Sequence, residues 1–227
     1  DACFYEFIPE SEMEKNMEDP AYIPKTCLMD QVVAGEKYEL VVSVLKGGAF
    51  MRYRVGDMYR CLALYGQGDG VQIPRFQYID RTPDVIDIAG FTRITKASIE
   101  SVMQLSGLPI IEWVVAKEYT HQNKPFMHLY VELAPEELAH RASTQEILRD
   151  HLSIYFKYLD QDYQDLKRIL GMDPLEITIL KCGTFQTYYR QENSAIRQVN
   201  PKPMQLQRLM DIQEEVWSSQ GGDVVYE

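Results

Sequence analysis

The chain has 227 residues, 45% hydrophobic and 25% charged; these are the proportions of a globular protein of one large or two small domains, and they exclude wholesale disorder. A formal net charge of −11 excludes a nonspecific nucleic-acid binder, which must face its partner with a surplus of Lys and Arg. It also obliges any nucleotide site to concentrate positive charge locally, from residues such as Arg54, Arg81 and Lys202.

No apolar stretch approaches the roughly 20 residues of a membrane span, so no membrane partner is expected. Cys3, Cys27, Cys61 and Cys182 lie far apart, without a CxxC pair or histidines at metal-ligand spacing. That pattern predicts free thiols in a reducing cytoplasm and no structural metal. The start at Asp1-Ala2-Cys3, without an initiator Met or a signal core, reads as the start of a piece of a longer protein.

In chain order, Cys3 to Pro9 predicts a short aromatic strand, and the acidic, Pro-punctuated stretch from Glu10 to Lys25 predicts a loop. Tyr38 to Leu45 is dense in β-branched residues, as a strand buried on both faces would be. Gly47-Gly48 then turns the chain into a second strand, Ala49 to Arg54. Met58 to Tyr65 and Phe76 to Asp80, joined by the Gly-rich turn at 66–70, complete an antiparallel set with no helix of its own to cover it.

Beyond a boundary near Pro83 to Gly90 the pattern changes. Thr95 caps a predicted helix from Lys96 to Leu105 that Gly107 ends. Strands are predicted at Ile110 to Tyr119 and Phe126 to Leu133. The capping box Ser143-Thr144-Gln145-Glu146 opens a helix carrying Leu148, Leu152, Tyr155 and Leu159. A strand at Glu176 to Cys182, a helix at Phe185 to Glu192, the Pro201-Lys202-Pro203 break and a terminal helix with Leu206, Leu209, Met210 and Trp217 follow. The expected class is α+β: a β-rich subdomain over 1–84, then a compact α+β unit over 85–227 with a mostly antiparallel sheet flanked by helices.

Two segments that end apolar runs carry the chemistry, Tyr53-Arg54-Val55-Gly56-Asp57 and Tyr78-Ile79-Asp80-Arg81-Thr82-Pro83-Asp84. Read one at a time, each has a bland alternative: Asp57 a turn former, Arg81 a surface arginine, Asp84 a turn acid. Their order, with Tyr38-Glu39-Leu40-Val41-Val42 before them, resembles the adenylate-forming superfamily. Within it, Phe4-Tyr5-Glu6-Phe7-Ile8-Pro9 resembles the YFEFxP strand of the auxin-responsive (Gretchen Hagen three) acyl acid amido synthetases. Leu180-Lys181-Cys182-Gly183-Thr184-Phe185 and Arg197-Gln198-Val199-Asn200-Pro201-Lys202-Pro203 resemble that family's GTF and QxKxPR segments. The last departs from the pattern, with Pro201 before Lys202, Pro203 after it and Met204 where an arginine is expected.

The resemblance implies the C-terminal portion of an enzyme that adenylates a carboxylic acid with ATP and Mg2+, then transfers the acyl group to an amino acid amine. By position, Asp57 would accept hydrogen bonds from the ribose hydroxyls, and Arg81 would approach the ribose or α-phosphate. Tyr53 would pack near the adenine or in the barrel core. Lys202 would stabilise phosphate charge, unless it is a solvated loop lysine. Asp84 would be the hinge to a mobile lid. The phosphate loop and most of the acid pocket would lie in the N-terminal remainder of the adenylation domain, so the piece alone is expected to be inactive. The alternatives are part of an acyl-CoA ligase or a non-catalytic binding module on the same fold. His121, His128, His140, His151 and the stretch from Tyr155 to Tyr163 read as ordinary surface or packing residues.

Overall fold

A computed structural model of the chain describes residues 3–64, 70, 72–90, 92–135, 149–150, 153–154 and 162–219. It divides into two compact units, Asp1–Thr82 and Pro83–Glu227. The expected capping box, Leu148, Leu152, Tyr155 and Leu159 of the helix after it, the centre of the Gly-rich turn, His140, His151 and most of the Tyr155 to Tyr163 stretch lie outside the described residues.

The first unit is an antiparallel sheet in the order β1-β2-β3-β4, from β1 (Cys3–Pro9), β2 (Lys37–Val44), β3 (Tyr53–Ala63) and β4 (Arg75–Arg81). As β2's composition predicts, both faces are covered, because alternate residues point to opposite sides. On one side Phe7, Tyr38 and Cys61 are buried together, with the Phe7 and Phe76 rings stacked at 4.7 Å. On the other, Ile8, Val41 and Met58 pack with Met13.

Met13 belongs to helix α1 (Glu10–Glu18), in a stretch expected to be loop. Glu10 and Glu12 sit in its first turn, where carboxylates favour the positive end of the helix dipole, and Pro9 precedes it. Met13 and Met17 then supply the apolar contacts that the acidic composition obscures. The sheet therefore does carry a helix of its own, contrary to expectation. A second correction concerns β3. Instead of two strands meeting at a glycine turn, one strand begins at Tyr53 and runs through Gly56 to Ala63.

The second unit opens with a hairpin, β5 (Val85–Ile88) and β6 (Thr92–Thr95), where the sequence offered only a boundary. Ala89 and Gly90 both have positive φ there, and Gly90 N donates to Asp87 Oδ1 at 2.7 Å. Helix α2 (Lys96–Ser106) starts as predicted, with Ser98 N donating to Thr95 Oγ1, and ends at Gly107, whose φ of 66° suits a residue without Cβ. Strands β7 (Ile110–Tyr119) and β8 (Pro125–Leu133) pair antiparallel, and β9 (Leu175–Leu180) joins β8 in parallel. Helices α3 (Asp162–Leu170), α4 (Thr184–Glu192) and α5 (Pro203–Ser219) complete the described elements.

Strand alternation divides the core of this unit in two. Trp113, Val115, Leu129 and Val131 face α2, α3 and the hairpin, while Val114, Tyr130 and Leu180 face α4 and α5. The class is α+β, with mostly antiparallel sheets and flanking helices. No helix among the described residues is long and apolar enough to cross a membrane.

One charge pair, an exposed arginine on a buried carboxylate, ties the first sheet to α1. Arg54 donates from Nε to Glu39 Oε1 at 2.8 Å, from Nη2 to Oε2 at 2.5 Å, and from Nη1 to Asn16 at 2.6 Å. Glu39 is 1% exposed. An isolated carboxylate there would be left unpaired in a poorly hydrated site. Arg54→Ala is expected to cost about 3 kcal/mol in the urea-unfolding free energy of the first unit. A loss under about 0.5 kcal/mol, the scale of an exposed pair, would contradict this account.

Candidate functional site

Asp57 and Arg81 are direct partners across β3 and β4. Just before Asp57 the β2/β3 register slips: Glu39 pairs with Met58 and Val41 with Arg54, so Val55, Gly56 and Asp57 stand opposite Leu40. Such a bulge re-aims a side chain that a regular ladder would have fixed. Gly56, with φ of 75°, makes the bulge possible, and a Cβ there would come within 3.7 Å of Arg81 Nη1 and of Thr82 Oγ1. Thr82 N donates to Gly56 O at 2.9 Å and locks the end of β4 against it.

The resulting pair is half-buried. Arg81 Nη1 donates to Val55 O at 3.0 Å and stands 2.9 Å from Asp57 Oδ1. That second contact is a charge pairing without hydrogen-bond alignment, and Oδ1 accepts no hydrogen bond although it is shielded from solvent. A carboxylate oxygen without a donor is costly. Oδ1 itself is closed off against the guanidinium, and the 17% of the Asp57 side chain that stays exposed is what an outside donor can reach.

The other expected residues are placed differently. Tyr53 is half exposed and packs on Phe50 at 4.8 Å, so it is not a core tyrosine. Arg54 directs its guanidinium to Glu39 and Asn16. Asp84 is exposed, immediately before β5. Lys202 is exposed at the start of α5; its amide donates to Gln205 Oε1 at 3.0 Å, while its carbonyl accepts from Gln205 N and Leu206 N. Among the described residues no cluster of three or more His, Cys, Asp or Glu could hold a metal, and the four cysteines are free thiols.

The GTF segment is a built helix start. Buried Glu132 on β8 accepts from Gly183 N at 2.7 Å and Phe185 N at 3.0 Å, placing a carboxylate at the positive end of α4. From α5, Gln213 Oε1 accepts from Lys181 N at 2.8 Å and Thr184 Oγ1 at 3.2 Å. Nor is His128 a stray surface residue. Its Nδ1 lies 3.1 Å from Glu118 Oε2, its Nε2 2.8 Å from Thr178 Oγ1, and its ring stacks on Tyr130 at 4.1 Å.

Asn200 is the residue that sequence reasoning missed. Its Oδ1 accepts from Lys117 N at 2.8 Å, and its Nδ2 donates to Pro83 O at 3.1 Å and Val85 O at 3.3 Å, the carbonyls flanking Asp84. The backbone around it pairs with β7, Val115 N donating to Gln198 O and Asn200 N to Val115 O, both at 2.8 Å. One amide thus ties the strand entry at 83–85 to the segment that delivers Lys202. Only an amide supplies acceptor and donor together here, and Asn also tolerates the φ of 45° found at this position. The signal lay in the motif itself. Counted from Gln198, the lysine position of a QxKxPR segment falls on Asn200.

Residues 1–81 match the family model described as GH3 family central domain. Among solved structures, a GH3.15 acyl acid amido synthetase is similar, with a TM-score of 0.41 at 17% identity over 92% of this chain and 37% of that one. A 2-hydroxyisobutyryl-CoA ligase in complex with 2-HIB-AMP and CoA gives a TM-score of 0.46 at 16% identity, over 96% and 39%. The A-PCP didomain of carboxylic acid reductase from Segniliparus rugosus, in complex with AMP, gives 0.42 at 16%, over 81% and 25%. The chain thus spans little more than a third of the length of the synthetase it resembles. No curated protein matches the sequence.

The Asn200 bonds can be separated by amide exchange. Asn200→Ala is expected to speed exchange at Lys117 and to destabilise the second unit by about 1–3 kcal/mol. Asn200→Asp keeps the acceptor, so Lys117 should stay protected while the two carbonyls lose their donor. Equal protection of Lys117 in the parent and both variants would remove the clamp.

Proposed function

We propose that the chain, whose residues 1–81 match the family model of the GH3 central domain, is the C-terminal portion of an ATP-dependent, cytoplasmic acyl acid amido synthetase. On this reading residues 1–84 close the large adenylation domain and residues 85–227 form its lid. The reaction adenylates a carboxylic acid and transfers the acyl group to an amino acid amine. The phosphate-binding loop and acid pocket belong to the N-terminal remainder of the domain, so the 227 residues alone are inactive.

The observation that carries the reading is the Asp57–Arg81 pair beside the Gly56 bulge, a carboxylate and a guanidinium set side by side and each left partly exposed. A single carboxylate oxygen has two lone pairs and can accept from both hydroxyls of a cis-diol, and the Gly56 bulge holds this carboxylate in place before a ligand arrives. ATP, accompanied by Mg2+, would supply the adenylyl group and the pyrophosphate leaving group. Of this chain's residues, Asp57 would hold the ribose, Arg81 would place a donor fork towards the ribose or α-phosphate, and exposed Tyr53 would lie against the base.

Lys202 has a physical argument of its own. A cation at the N-terminal end of a 17-residue helix opposes the helix dipole, at a cost of about 0.3–1 kcal/mol. Folding alone does not favour a lysine there, and an approaching phosphate would reverse the sign. Asp84, exposed after Pro83, suits a joint with few free torsions.

In the full-length protein, acid-dependent pyrophosphate exchange with ATP is expected, and an amide should form when amino acids are added. A thioester formed with coenzyme A in place of an amide would replace this reading with an acyl-CoA ligase, and no exchange with any of a panel of acids would end both. Asp57→Ala is expected to weaken ATP binding by about tenfold to a hundredfold, the loss of a charge-assisted hydrogen bond. Unchanged ATP affinity would exclude the ribose role.

A further inference from the structure

A cleft of about 410 Å³ opens on the face of the three-stranded sheet that α4 and α5 cover. Ala116 forms its floor, because a small side chain there leaves space between the strand and the start of α5. Glu118 and Tyr130 form one wall, and Pro203, Leu206 and Met210 form the other. The volume suits a small ligand.

Its polar end is built rather than incidental. Tyr130 donates its hydroxyl proton to Glu118 Oε1 at 2.6 Å. Because that proton is committed, the arrangement that satisfies His128 has Nδ1–H donating to Glu118 Oε2, and Nε2 accepting from the Thr178 hydroxyl. Burial raises the Glu118 pKa, but the hydrogen bonds from His128 and Tyr130 outweigh it and hold the carboxyl below its ordinary 4.5, ionised at neutral pH. Both donors reach it from within the sheet. The carboxylate is therefore fixed, 31% exposed, and each oxygen retains a lone pair for an outside donor.

Among the described residues that line the cleft, Lys117 is the one with a cationic side chain. Lys117 lines the cleft with its backbone side, while strand alternation sends its ammonium to the opposite face, 5.8 Å from the Tyr119 ring centre. A pre-oriented carboxylate facing an apolar wall calls for a ligand with a positive, hydrogen-bond-rich head and a hydrocarbon body. We propose that the cleft binds a primary ammonium group bearing a branched apolar substituent, with the ammonium on Glu118 and the substituent against Leu206 and Met210. The amino acid acceptor of the proposed ligation also carries a primary ammonium group, and only that identification rests on the amide-forming reading.

The test is a titration of the 227-residue chain with isopentylamine at neutral pH, followed by amide chemical shifts. Saturable shifts centred on Ala116, Glu118 and Leu206 are expected, with 4-methylpentanoate and 3-methylbutanol binding at least about tenfold more weakly. Glu118→Gln, which leaves Tyr130 an oxygen to donate to, should weaken amine binding by a similar factor. Ala116→Leu, which fills the floor, should abolish it. Equal affinity for the carboxylate or the alcohol, or unchanged amine affinity in either variant, overturns the proposal. The titration contains neither ATP nor acid. Absent pyrophosphate exchange therefore strikes the ligase reading alone, and absent amine binding strikes the cleft alone.

Discussion

The bulge at Val55-Gly56-Asp57 is the constraint on which the placement of Asp57 beside Arg81 depends. A regular ladder between β2 and β3 would alternate its side chains strictly between two covered faces, leaving no place for a half-buried acid with an unbonded oxygen. Gly56 admits the extra residues. Thr82 then pins the end of β4 to the Gly56 carbonyl, bringing Arg81 alongside Asp57. The apolar clusters on either side are what make this distortion affordable, because the sheet is held on both faces while one short stretch departs from regularity.

In the second unit the corresponding device is a side-chain amide. Asn200 reads three backbone groups from separate stretches of chain, at Pro83, Val85 and Lys117. The Glu132 and Gln213 contacts do the same for the start of α4. Both are polar groups set among packed side chains, and both fix the path of a loop more than they add to the core. Such bonds specify which of several compact arrangements the chain adopts.

What was legible in the sequence was local chemistry. Thr95 and Gly107 bracket α2 because a hydroxyl cap and an αL glycine act within one turn of the residues they stop. β2 reads as doubly buried from its β-branched run. By contrast, α1 was hidden because its stabilising contacts, Met13 and Met17 against the sheet, are long-range, while its own composition is acidic and bounded by prolines. The β5/β6 hairpin has strands of four residues, too short for periodicity to register. Asp57 and Arg81 stand out in their two segments, yet their adjacency comes from β-pairing and their environment from a register slip, and neither is a property of either segment alone. Asn200 acts on partners more than 80 residues away, and Glu118 on residues brought to it only by the pairing of β7 with β8, so residue type alone gave no reason to single them out.

The parallel bridge between Val115 and Val199 has a consequence for solubility. β7 lies at the end of its sheet order, with β8 on one side only. An uncovered strand of that length, carrying Trp113, Val114 and Val115, would present open amides and carbonyls to any extended peptide, including the same strand of another molecule. Residues 198–200 lie along that margin and take up two of its backbone groups. The segment that delivers Lys202 is thus also an edge guard. Displacing it would open that margin of β7, so its path is held by the strand's backbone pairing as well as by its own turns.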